Sequence, residues 1–348
     1  MKSVLLLAVV SIAGAGVSAA QDGGPVRPLF TDAATLTLTI EGPLRRLQRE
    51  RRRRPDLEGV VRYQDAAGDE VVLGVELTAR GNSRLDLCSF PPLWLNFRRG
   101  QLEGTVFAGQ NRIKLVSLCR RDDSHRDYLA QEYQVYRAFN ALTDKSFRVR
   151  WVSVEYVDTE AARGRSYVEP AFFIEEDWEV AERNGMEVVK VTGLEPAQLD
   201  PRETTLLSLF QFLIGNTDYS PRAGPGEEAC CHNTKLIGYA GRDMDRVALP
   251  YDFDQTGLVG AGYAEPPPSL RLSNVRERLY RGYCLLNEEV AWAVIHLQDR
   301  RERVRGAFDV DMARERARAR ALEYLESGYE ILGDPVRRQE EILDRCLG

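Results

Sequence analysis

The hydrophobic pattern of the chain changes between its two halves, and this change limits the folds that it can form. Between residues 34 and 176, apolar and polar residues alternate in a series of short segments, the pattern of half-buried β-strands. One stretch, RDYLAQEYQVYRAFNAL, has apolar residues at helical spacing, and two more strand-like segments follow it. From residue 177 onward the spacing is mostly helical. We therefore predict an α+β chain with a strand-rich first part, one inserted helix and a helical second part.

The helical part contains the best-marked helix of the chain, DPRETTLLSLFQFLIG. Asp200 can cap it, with Pro201 at the first helical position and Glu203 as the capping-box partner. The helix stops at Gly215. A strand pair, TKLIGY and RVALPYD, follows. Further helices are predicted around residues 274–282, 287–304, 311–331 and 334–346.

The first residues have the composition of a secretory signal peptide. Lys2 precedes an apolar run, and small residues lead to a cleavage point that we place after Ala20, with Ala19 as the alternative. An uncleaved membrane anchor is the alternative, but the run is short for a membrane span and no later run is long enough. We therefore predict a secreted or periplasmic protein, with no transmembrane segment after cleavage and a flexible leader over residues 21–33.

The charge balance argues against nucleic acid as a partner. The formal net charge is −6, and it becomes −7 when residues 1–20 are removed with their single charged residue, Lys2. This mildly acidic balance argues against nucleic acid as the main partner; the basic run PLRRLQRERRRRP is interpreted as a solvated helix face, with contact to an anionic surface or polymer as the alternative. We predict a monomer with no nucleic-acid partner.

Six cysteines in an exported chain indicate disulfide bonds. Six cysteines allow 15 full pairings, so the sequence leaves the connectivity open. We favour Cys88 with Cys119, because both flank neighbouring strand-like segments. A second predicted pair joins Cys284 to Cys230 or Cys231. Metal ligation is the alternative, but the chain has no CxxC pair and only three histidines.

Acidic and amide side chains follow buried elements in two loop segments of the second half. Asp218 comes just after the best-marked helix, and Asn233, Asp252 and Asp254 lie in the segments CCHN and PYDFD. Such groups are costly to bury, so we expect them to be held for chemistry. Phosphoryl transfer needs a carboxylate base, and it needs carboxylate and amide oxygens that hold a divalent cation against nucleotide phosphates. The pattern predicts Asp218 as the base and the other three as metal ligands, with Asp254 alternatively a support for its loop.

Lysine is scarce in this chain, which makes its positions informative. Beyond residue 20 the lysines are Lys114, Lys145, Lys190 and Lys235, and arginine supplies the other basic positions. Phosphoryl transfer also needs a cation on the nucleotide phosphates, often a strand lysine paired with a glutamate on the next helix. Lys114 lies in mid-strand and Glu132 on the helix that follows, so we predict this pair. A salt bridge on a solvated face is the alternative.

The segment ARGNSR offers a second place for a phosphate. Gly81 and Asn82 allow a turn, and Arg80 or Arg84 could reach a phosphate group. An ordinary hairpin turn is the alternative, and no GxGxxG loop is present.

Two basic residues lie close to Asn233: His232 directly precedes it, and Lys235 follows it by two positions. We predict that His232 is structural and hydrogen-bonds within its loop. Lys235 is predicted to pair with Asp252 or Asp254, with neutralisation of phosphate as the alternative.

Taken in order, these motifs resemble those of the CotH-type (spore coat protein H-like) kinases and their exported bacterial relatives, within the protein-kinase-like superfamily. The resemblance is carried by RGNS (80–83), Lys114, RDYLAQEY with Glu132, GNTD (215–218), HN (232–233) and PYDFD (250–254). The last three motifs also resemble HipA-type kinases, which place an Asn-x-Asp before an Asn and then an Asp-containing loop. The resemblance covers roughly residues 34–285.

The resemblance implies a bilobal atypical protein-kinase-like fold. Residues 34–176 would be a β-rich N-lobe with one inserted helix, and residues 177–348 a mostly helical C-lobe. The implied activity is transfer of the ATP γ-phosphate to Ser or Thr hydroxyls of a protein substrate, with Mg²⁺ or Mn²⁺. The implied roles are nucleotide binding by Lys114, Glu132 and Arg80, catalysis by Asp218, and metal binding by Asn233, Asp252 and Asp254.

The insertion YSPRAGPGEEACCH departs from the family pattern, since it separates Asp218 from Asn233. It fits either a substrate loop or a tolerated surface loop.

Two other functions stay open. A catalytically inactive kinase-like binding module of the cell envelope would keep the acidic residues as a structural site. A glycosyl- or nucleotidyltransferase would use Asp252 and Asp254 as a DxD metal-diphosphate clamp.

Overall fold

The computed structural model describes residues 24, 26–98, 100–161, 165–224 and 230–348. The predicted signal peptide lies outside these residues. Within the predicted leader, residues 28–30 form a short 3₁₀ turn in which Leu29 and Phe30 are buried. In the described ranges, no helix has both the length and the apolar character of a membrane span.

Seven strands of the first half form one closed barrel. They are β1 (Leu36–Gly42), β2 (Leu57–Gln64), β3 (Glu70–Ala79), β4 (Leu93–Phe97), β5 (Arg112–Ser117), β6 (Val149–Asp158) and β7 (Arg165–Ile174). Neighbours in the order β1-β2-β3-β4-β5-β7-β6 pair antiparallel. The barrel closes because β1 also pairs with β6, in parallel.

The prediction of a bilobal protein-kinase-like fold is wrong. That fold has an open sheet in its N-lobe, whereas the strands of this chain close into a barrel. Each residue of β1, from Leu36 to Gly42, has a partner on β6. Alternation in a sequence shows that a strand is half-buried, but it does not show whether the two edges of the sheet meet. Closure pairs the backbone groups that an open sheet leaves exposed at its edges.

Nine α-helices lie within the described residues. They are α1 (Leu44–Glu50), α2 (Ser83–Leu87), α3 (Asp123–Asn140), α4 (Asp177–Arg183), α5 (Pro201–Ile214), α6 (Val290–Asp299), α7 (Arg301–Gly306), α8 (Glu315–Gly333) and α9 (Pro335–Glu341). A small sheet of β8 (Glu187–Val189), β9 (Thr234–Gly238) and β10 (Val247–Pro250) lies among them. The predicted strand pair is confirmed, because β9 and β10 pair antiparallel.

The helix predicted around residues 274–282 is wrong, because this segment forms turns and irregular chain. The guanidinium groups of Arg276 and Arg278 lie 4.8 and 3.8 Å from the centre of the Tyr324 ring. Arg278 also donates a hydrogen bond of 3.3 Å to the backbone carbonyl of Leu213. The arginines therefore hold the segment against α8 and α5, where a solvated helix would have pointed them into water.

The chain has two main hydrophobic cores. Inward-facing residues of the strands fill the barrel, and Ile40, Val61, Val75, Leu95 and Phe173 are among its fully buried members. Because side chains alternate along a strand, the residues beside them point outward. The outward residues at the end of β7 join the second core, which α3, α5, α6 and α8 form together. This second core supports the loops described below.

The start of α5 is as predicted, except for one side chain. The Asp200 carboxylate accepts a hydrogen bond of 2.9 Å from the Glu203 N–H, so the cap is confirmed. Glu203 does not complete a capping box, because its side chain pairs with Lys145 at 3.0 Å.

Three disulfide bonds join the six cysteines. The predicted Cys88–Cys119 bond is confirmed. The predicted bond between Cys284 and Cys230 or Cys231 is wrong: Cys230 is bonded to Cys231, and Cys284 to Cys346. The reason lies in the last residues of the chain, which run beside Cys284. Its N–H donates to the Leu347 carbonyl at 2.9 Å.

Candidate functional site

The loop that carries Asp218 begins where α5 ends. Gly215 has a left-handed backbone with φ 64°, a conformation that glycine adopts without a side-chain clash. A Cβ atom at this position would also overlap the Tyr324 hydroxyl. The turn at Gly215 leads the chain out of the helix, and the Asp218 N–H then bonds to the Asn216 side chain at 2.9 Å. This turn therefore fixes the position at which the loop with Asp218 begins.

The described parts of the insertion bring Asn233 back to Asp218. Ser220 and His232 form an antiparallel bridge with N···O distances of 2.9 and 3.1 Å. The bridge places His232 Nε2 2.7 Å from one Asp218 carboxylate oxygen. The Asn233 amide donates to the other carboxylate oxygen at 3.0 Å. His232 thus hydrogen-bonds within its loop, and the bond to Asp218 raises the pKa of His232.

The small sheet brings Asn233 beside Asp252. Where β9 begins and β10 ends, the Tyr251 N–H donates a hydrogen bond of 3.1 Å to the Asn233 carbonyl. Both Asn233 and Asp252 have a left-handed backbone, with φ values of 47° and 63°. Residues other than glycine seldom adopt this conformation, although asparagine and aspartate do so more readily than most. Two such residues side by side are typical of strained functional loops.

One guanidinium group joins three carboxylates. Arg84 lies on α2, and its Nη2 atom is 2.8 Å from Glu132 Oε1. The same atom is 3.1 Å from Asp252 Oδ1 and 3.1 Å from Asp254 Oδ2. The Arg84 side chain is 12% exposed, and its pairs with Glu132 and Asp254 are largely shielded from water, whereas the Asp252 side chain is 43% exposed. We call Arg84, Glu132, Asp252 and Asp254 the Arg84 cluster.

Burial shifts the titration of the Arg84 cluster. It raises the pKa of Glu132 to about 8, against the opposing effect of Arg84. Burial also raises the pKa of Asp254 to about 6, again opposed by Arg84. For Arg84 itself burial would lower the pKa, but the surrounding carboxylates outweigh it and the pKa rises. Arg84 therefore stays charged, while burial opposes ionisation of Glu132 and Asp254.

One face of α3 supports the loop that follows β10. Tyr128, Glu132 and Tyr136 are four residues apart, so they lie one above another on the helix. The Tyr136 hydroxyl accepts a hydrogen bond of 2.9 Å from the Asp252 N–H. The Tyr128 hydroxyl accepts one of 3.2 Å from the Gly262 N–H. The helix therefore holds both ends of the loop and places Glu132 between them.

Lys114 pairs with Glu176, and the predicted pair of Lys114 with Glu132 is wrong. The distance from Lys114 Nζ to Glu176 Oε1 is 3.3 Å. Lys114 is paired with Ile174 in the register of β5 and β7, so the chain that leaves β7 carries Glu176 close to it. Glu132 instead forms an ion pair with Arg84. Burial lowers the pKa of Lys114.

Arg80 lies at the end of β3, near both Lys114 and the Arg84 cluster. Burial lowers the pKa of Arg80, and the charge of Asp252 partly offsets this effect. The guanidinium lies 5.2 Å from the centre of the Trp94 ring, and Lys114 Nζ lies 5.5 Å from the same centre. Within the described residues, no carboxylate forms an ion pair with Arg80. Two cations that the sequence predicts to bind phosphate therefore lie on one aromatic side chain.

The Asp218 loop and the Arg84 cluster lie next to each other. Asn233 donates a hydrogen bond of 3.0 Å to Asp218, and its carbonyl accepts one of 3.1 Å from the Tyr251 N–H, directly before Asp252. The residues predicted for catalysis, metal binding and phosphate binding thus converge. The predicted ion pair of Lys235 with Asp252 or Asp254 is wrong: within the described part of the chain Lys235 makes no ion pair, and its Nζ lies 5.4 Å from the centre of the Tyr251 ring.

The donor atoms suit a divalent cation in kind, but a guanidinium now binds them. Asp252, Asp254 and Asn233 offer carboxylate and amide oxygens, which Mg²⁺ and Mn²⁺ prefer. In the described ranges, no group of three or more His, Cys, Asp or Glu side chains is arranged to hold a metal ion. Arg84 pairs with one oxygen of each aspartate. A cation would therefore compete with Arg84 for its ligands.

Sequence reasoning missed three contributions to the site. It placed Tyr136 in the apolar stripe of α3 and assigned no role to Glu176. It considered Arg84 only as a contact for phosphate. The spacing of Tyr136 four residues after Glu132 is a signal that could have been used. No sequence signal connects Arg84 to the two aspartates, because 168 residues separate it from Asp252.

The chain matches no protein-family model, and no curated protein matches it. The similarity to CotH-type kinases therefore stays a prediction, and the geometry of the site is the main basis for a function.

Proposed function

We propose that the chain is a metal-dependent phosphotransferase, which transfers the γ-phosphate of ATP to Ser or Thr hydroxyls of a protein. The observation that supports this is the convergence of the Asp218 loop, the Arg84 cluster and two further cations in one place. Phosphoryl transfer requires a base, oxygen ligands for a divalent cation and positive charge for the phosphates. All three kinds of group are available here. The predicted resemblance of the motifs to those of CotH-type kinases is consistent with the same chemistry.

Asp218 is the proposed base for the attacking hydroxyl. Its side chain is 28% exposed, so a hydroxyl group has access to it. His232 and Asn233 each bond to a different oxygen of its carboxylate and act as positioning residues. A base must lie within hydrogen-bond distance of the proton that it accepts, and these two bonds restrict the orientation of the carboxylate.

Asp252 and Asn233 are the proposed metal ligands, with Asp254 as a further ligand. When bound, Mg²⁺ or Mn²⁺ would neutralise the phosphate charge during transfer. Arg80 and Lys114 are the proposed phosphate contacts, and Glu132 takes part only through Arg84. The barrel separates the chain from the bilobal kinases, so this proposal depends on the site and not on the fold.

The disulfides support a proposal about location. Three disulfide bonds are expected to persist in an oxidising compartment. Together with the predicted signal peptide, they favour action outside the cytoplasm, in the periplasm or as a secreted protein.

The first experiment is calorimetric titration of ATP into the purified protein, with and without Mg²⁺ or Mn²⁺. We expect binding that needs the metal and that Asp252→Asn weakens at least tenfold. Asparagine is the matched substitution, because it accepts the left-handed backbone of this position and removes only the charge. Asp243→Asn is the control, since the Asp243 side chain is 92% exposed. Absence of metal-dependent binding to the folded wild type would contradict the proposal.

The second experiment separates binding from transfer. Asp218→Asn should retain ATP binding and lose at least a hundredfold in phosphate transfer, a typical loss for a general base. Transfer is followed by mass spectrometry on dephosphorylated casein and on the chain itself. Equal transfer by the variant and the wild type would exclude Asp218 as the base.

A second candidate function is nucleotide binding without transfer. The observation that favours it is the pairing of Arg84 with both proposed metal-binding aspartates. This function predicts ATP binding that is indifferent to metal, and no phosphate transfer by the wild type. Titration with and without metal, together with the transfer assay, therefore distinguishes the candidates.

A further inference from the structure

Arg84 neutralises acidic side chains that would otherwise repel each other. The Arg84 cluster has one guanidinium group and three carboxylates. One oxygen of each carboxylate lies within 3.1 Å of Arg84 Nη2. Unpaired charges are costly in a shielded position. The guanidinium is therefore the counter-ion of the cluster while no other cation is present.

The Arg84 contacts use ligand atoms of the proposed metal site. Arg84 binds Asp252 Oδ1 and Asp254 Oδ2, and both residues are proposed ligands. A divalent cation and a guanidinium compete for such oxygens, because each is attracted by the same negative charge. Binding of metal to Asp252 Oδ1 or Asp254 Oδ2 thus requires Arg84 to release that oxygen.

The surroundings of Arg84 offer it an alternative partner. Arg80 precedes it by four residues in the same segment, and no carboxylate of the described residues forms an ion pair with Arg80. Gly81, between them, has a φ of 95°, which turns the chain. Guanidinium groups bind phosphate oxygens with the same paired donors that they use for carboxylates. A phosphate bound by Arg80 would therefore lie close to Arg84, which belongs to the same segment.

We propose that Arg84 exchanges partners: it is the counter-ion of Asp252 and Asp254 in the free protein and binds the phosphates of ATP when metal takes these aspartates. Arg84 is thus a positioning residue for the nucleotide. Its second role makes binding of metal depend on binding of nucleotide, because metal alone must displace Arg84 without giving it a new partner. This inference rests on the proposed function.

The test is titration of Mn²⁺ without nucleotide, followed by the electron paramagnetic resonance signal of free Mn²⁺. We expect Arg84→Gln to bind Mn²⁺ at least tenfold more tightly than the wild type, because the competing charge is gone. The same variant should bind ATP with Mn²⁺ at least tenfold more weakly, since a phosphate contact is lost. A purely structural role for Arg84 predicts no gain in Mn²⁺ affinity.

Arg314→Gln is the matched control. Arg314 also joins two carboxylates, with 2.7 Å to Asp127 and 3.2 Å to Asp123, but it makes no contact with the Arg84 cluster. Its replacement should change neither Mn²⁺ nor ATP affinity. Arg84→Lys is the second variant, for use if Arg84→Gln does not fold as judged by circular dichroism. It keeps a cation among the carboxylates but loses the planar donors, so it should retain weak Mn²⁺ binding and lose ATP affinity.

The outcomes separate this inference from the function on which it rests. If the wild type binds ATP with metal but Arg84→Gln gains no Mn²⁺ affinity, the exchange of partners is wrong and the proposed function survives. If the wild type shows no metal-dependent ATP binding, the proposed function is wrong. A gain of Mn²⁺ affinity in Arg84→Gln would then still support the counter-ion role alone.

Discussion

The Tyr136 hydroxyl accepts a hydrogen bond of 2.9 Å from the backbone N–H of Asp252, and this contact ties α3 to the loop of the Arg84 cluster. Tyr136 is only 2% exposed, so water cannot readily replace it as the acceptor. Asp252 has a left-handed backbone with φ 63°, which is uncommon for a residue with a side chain. The bond to Tyr136 therefore stabilises an unusual conformation at a proposed ligand.

Tyr136→Phe should destabilise the protein, because it leaves the Asp252 N–H without its acceptor. We expect a loss of ~1–3 kcal/mol in the free energy of unfolding, the cost of an unsatisfied buried donor. The measurement is urea denaturation. Tyr329→Phe is the control, since Tyr329 is 1% exposed and its hydroxyl has no hydrogen-bond partner within the described residues. Equal losses in the two variants would argue against the role of Tyr136.

Gly215→Ala should be among the most damaging single-methyl changes in the chain. The left-handed backbone alone costs roughly 1–2 kcal/mol for alanine. A Cβ atom at Gly215 would also overlap the Tyr324 hydroxyl, and overpacking adds typically ~1–3 kcal/mol. Thermal and urea unfolding would measure the sum. Because Gly215 leads to Asp218, we also expect weaker phosphate transfer.

The control for Gly215 is Gly185→Ala. Gly185 has nearly the same backbone, with φ 65°, but no atom lies within 4 Å of the position that a Cβ atom would occupy there. It should show the backbone cost alone. A Gly185 variant as unstable as the Gly215 variant would exclude the overlap with Tyr324 as a cause.

Arg183→Met should leave a buried carboxylate without its partner. Arg183 donates to both oxygens of Glu175, at 3.0 and 3.2 Å, and the two side chains are 5% and 1% exposed. Removing one partner of such a pair costs about 3–5 kcal/mol. Arg242→Met is the control, because Arg242 is 61% exposed and its ion pair with Asp245 is 3.5 Å long. We expect the added change Glu175→Gln to recover part of the loss, and no recovery would contradict the charge argument.

Glu179 should make stability fall as the pH rises from 4.5 to about 7. Burial raises its pKa from the usual 4.5 to about 7, so the folded protein favours the protonated form. Its contribution to stability is therefore complete below pH 4.5 and is lost as the pH passes through about 7. The pKa difference corresponds to ~3 kcal/mol at most.

The measurement compares urea unfolding of the wild type and Glu179→Gln across this pH range. Glutamine removes the titration, and Gln110, whose amide bonds to Glu179 at 2.8 Å, can turn its own oxygen toward the new amide. The variant should gain stability relative to the wild type as the pH rises. Glu58→Gln is the control, since the Glu58 side chain is 83% exposed and should give a constant difference.

Local patterns in the sequence predicted most secondary structure correctly. The alternating segments became the strands of the barrel, and the helical spacing around Tyr133 became α3. Asp200 caps α5 as predicted, because a cap depends on residues only a few positions apart. The Cys88–Cys119 bond was also predictable, since both cysteines flank neighbouring strand-like segments.

Closure of the barrel was not predictable from the same patterns. It depends on parallel pairing of β1 with β6, which lie more than 100 residues apart: Leu36 is opposite Val152. An open sheet and a closed barrel show the same alternation, because each has one face in a core. The choice between them is made by the edges, and their meeting is a property of the whole sheet.

The chemical character of the site was determined by the sequence, and its connections were decided by the tertiary structure. Asp218, Asn233, Asp252 and Asp254 stood out because polar groups directly after apolar runs end up near a core. Which cation each acidic group meets was decided by long-range packing, which gave Glu132 to Arg84 and Glu176 to Lys114. Periodicity reports which way a side chain faces along its own element. Ion pairs depend on where that element is placed against others, and only the folded chain contains that information.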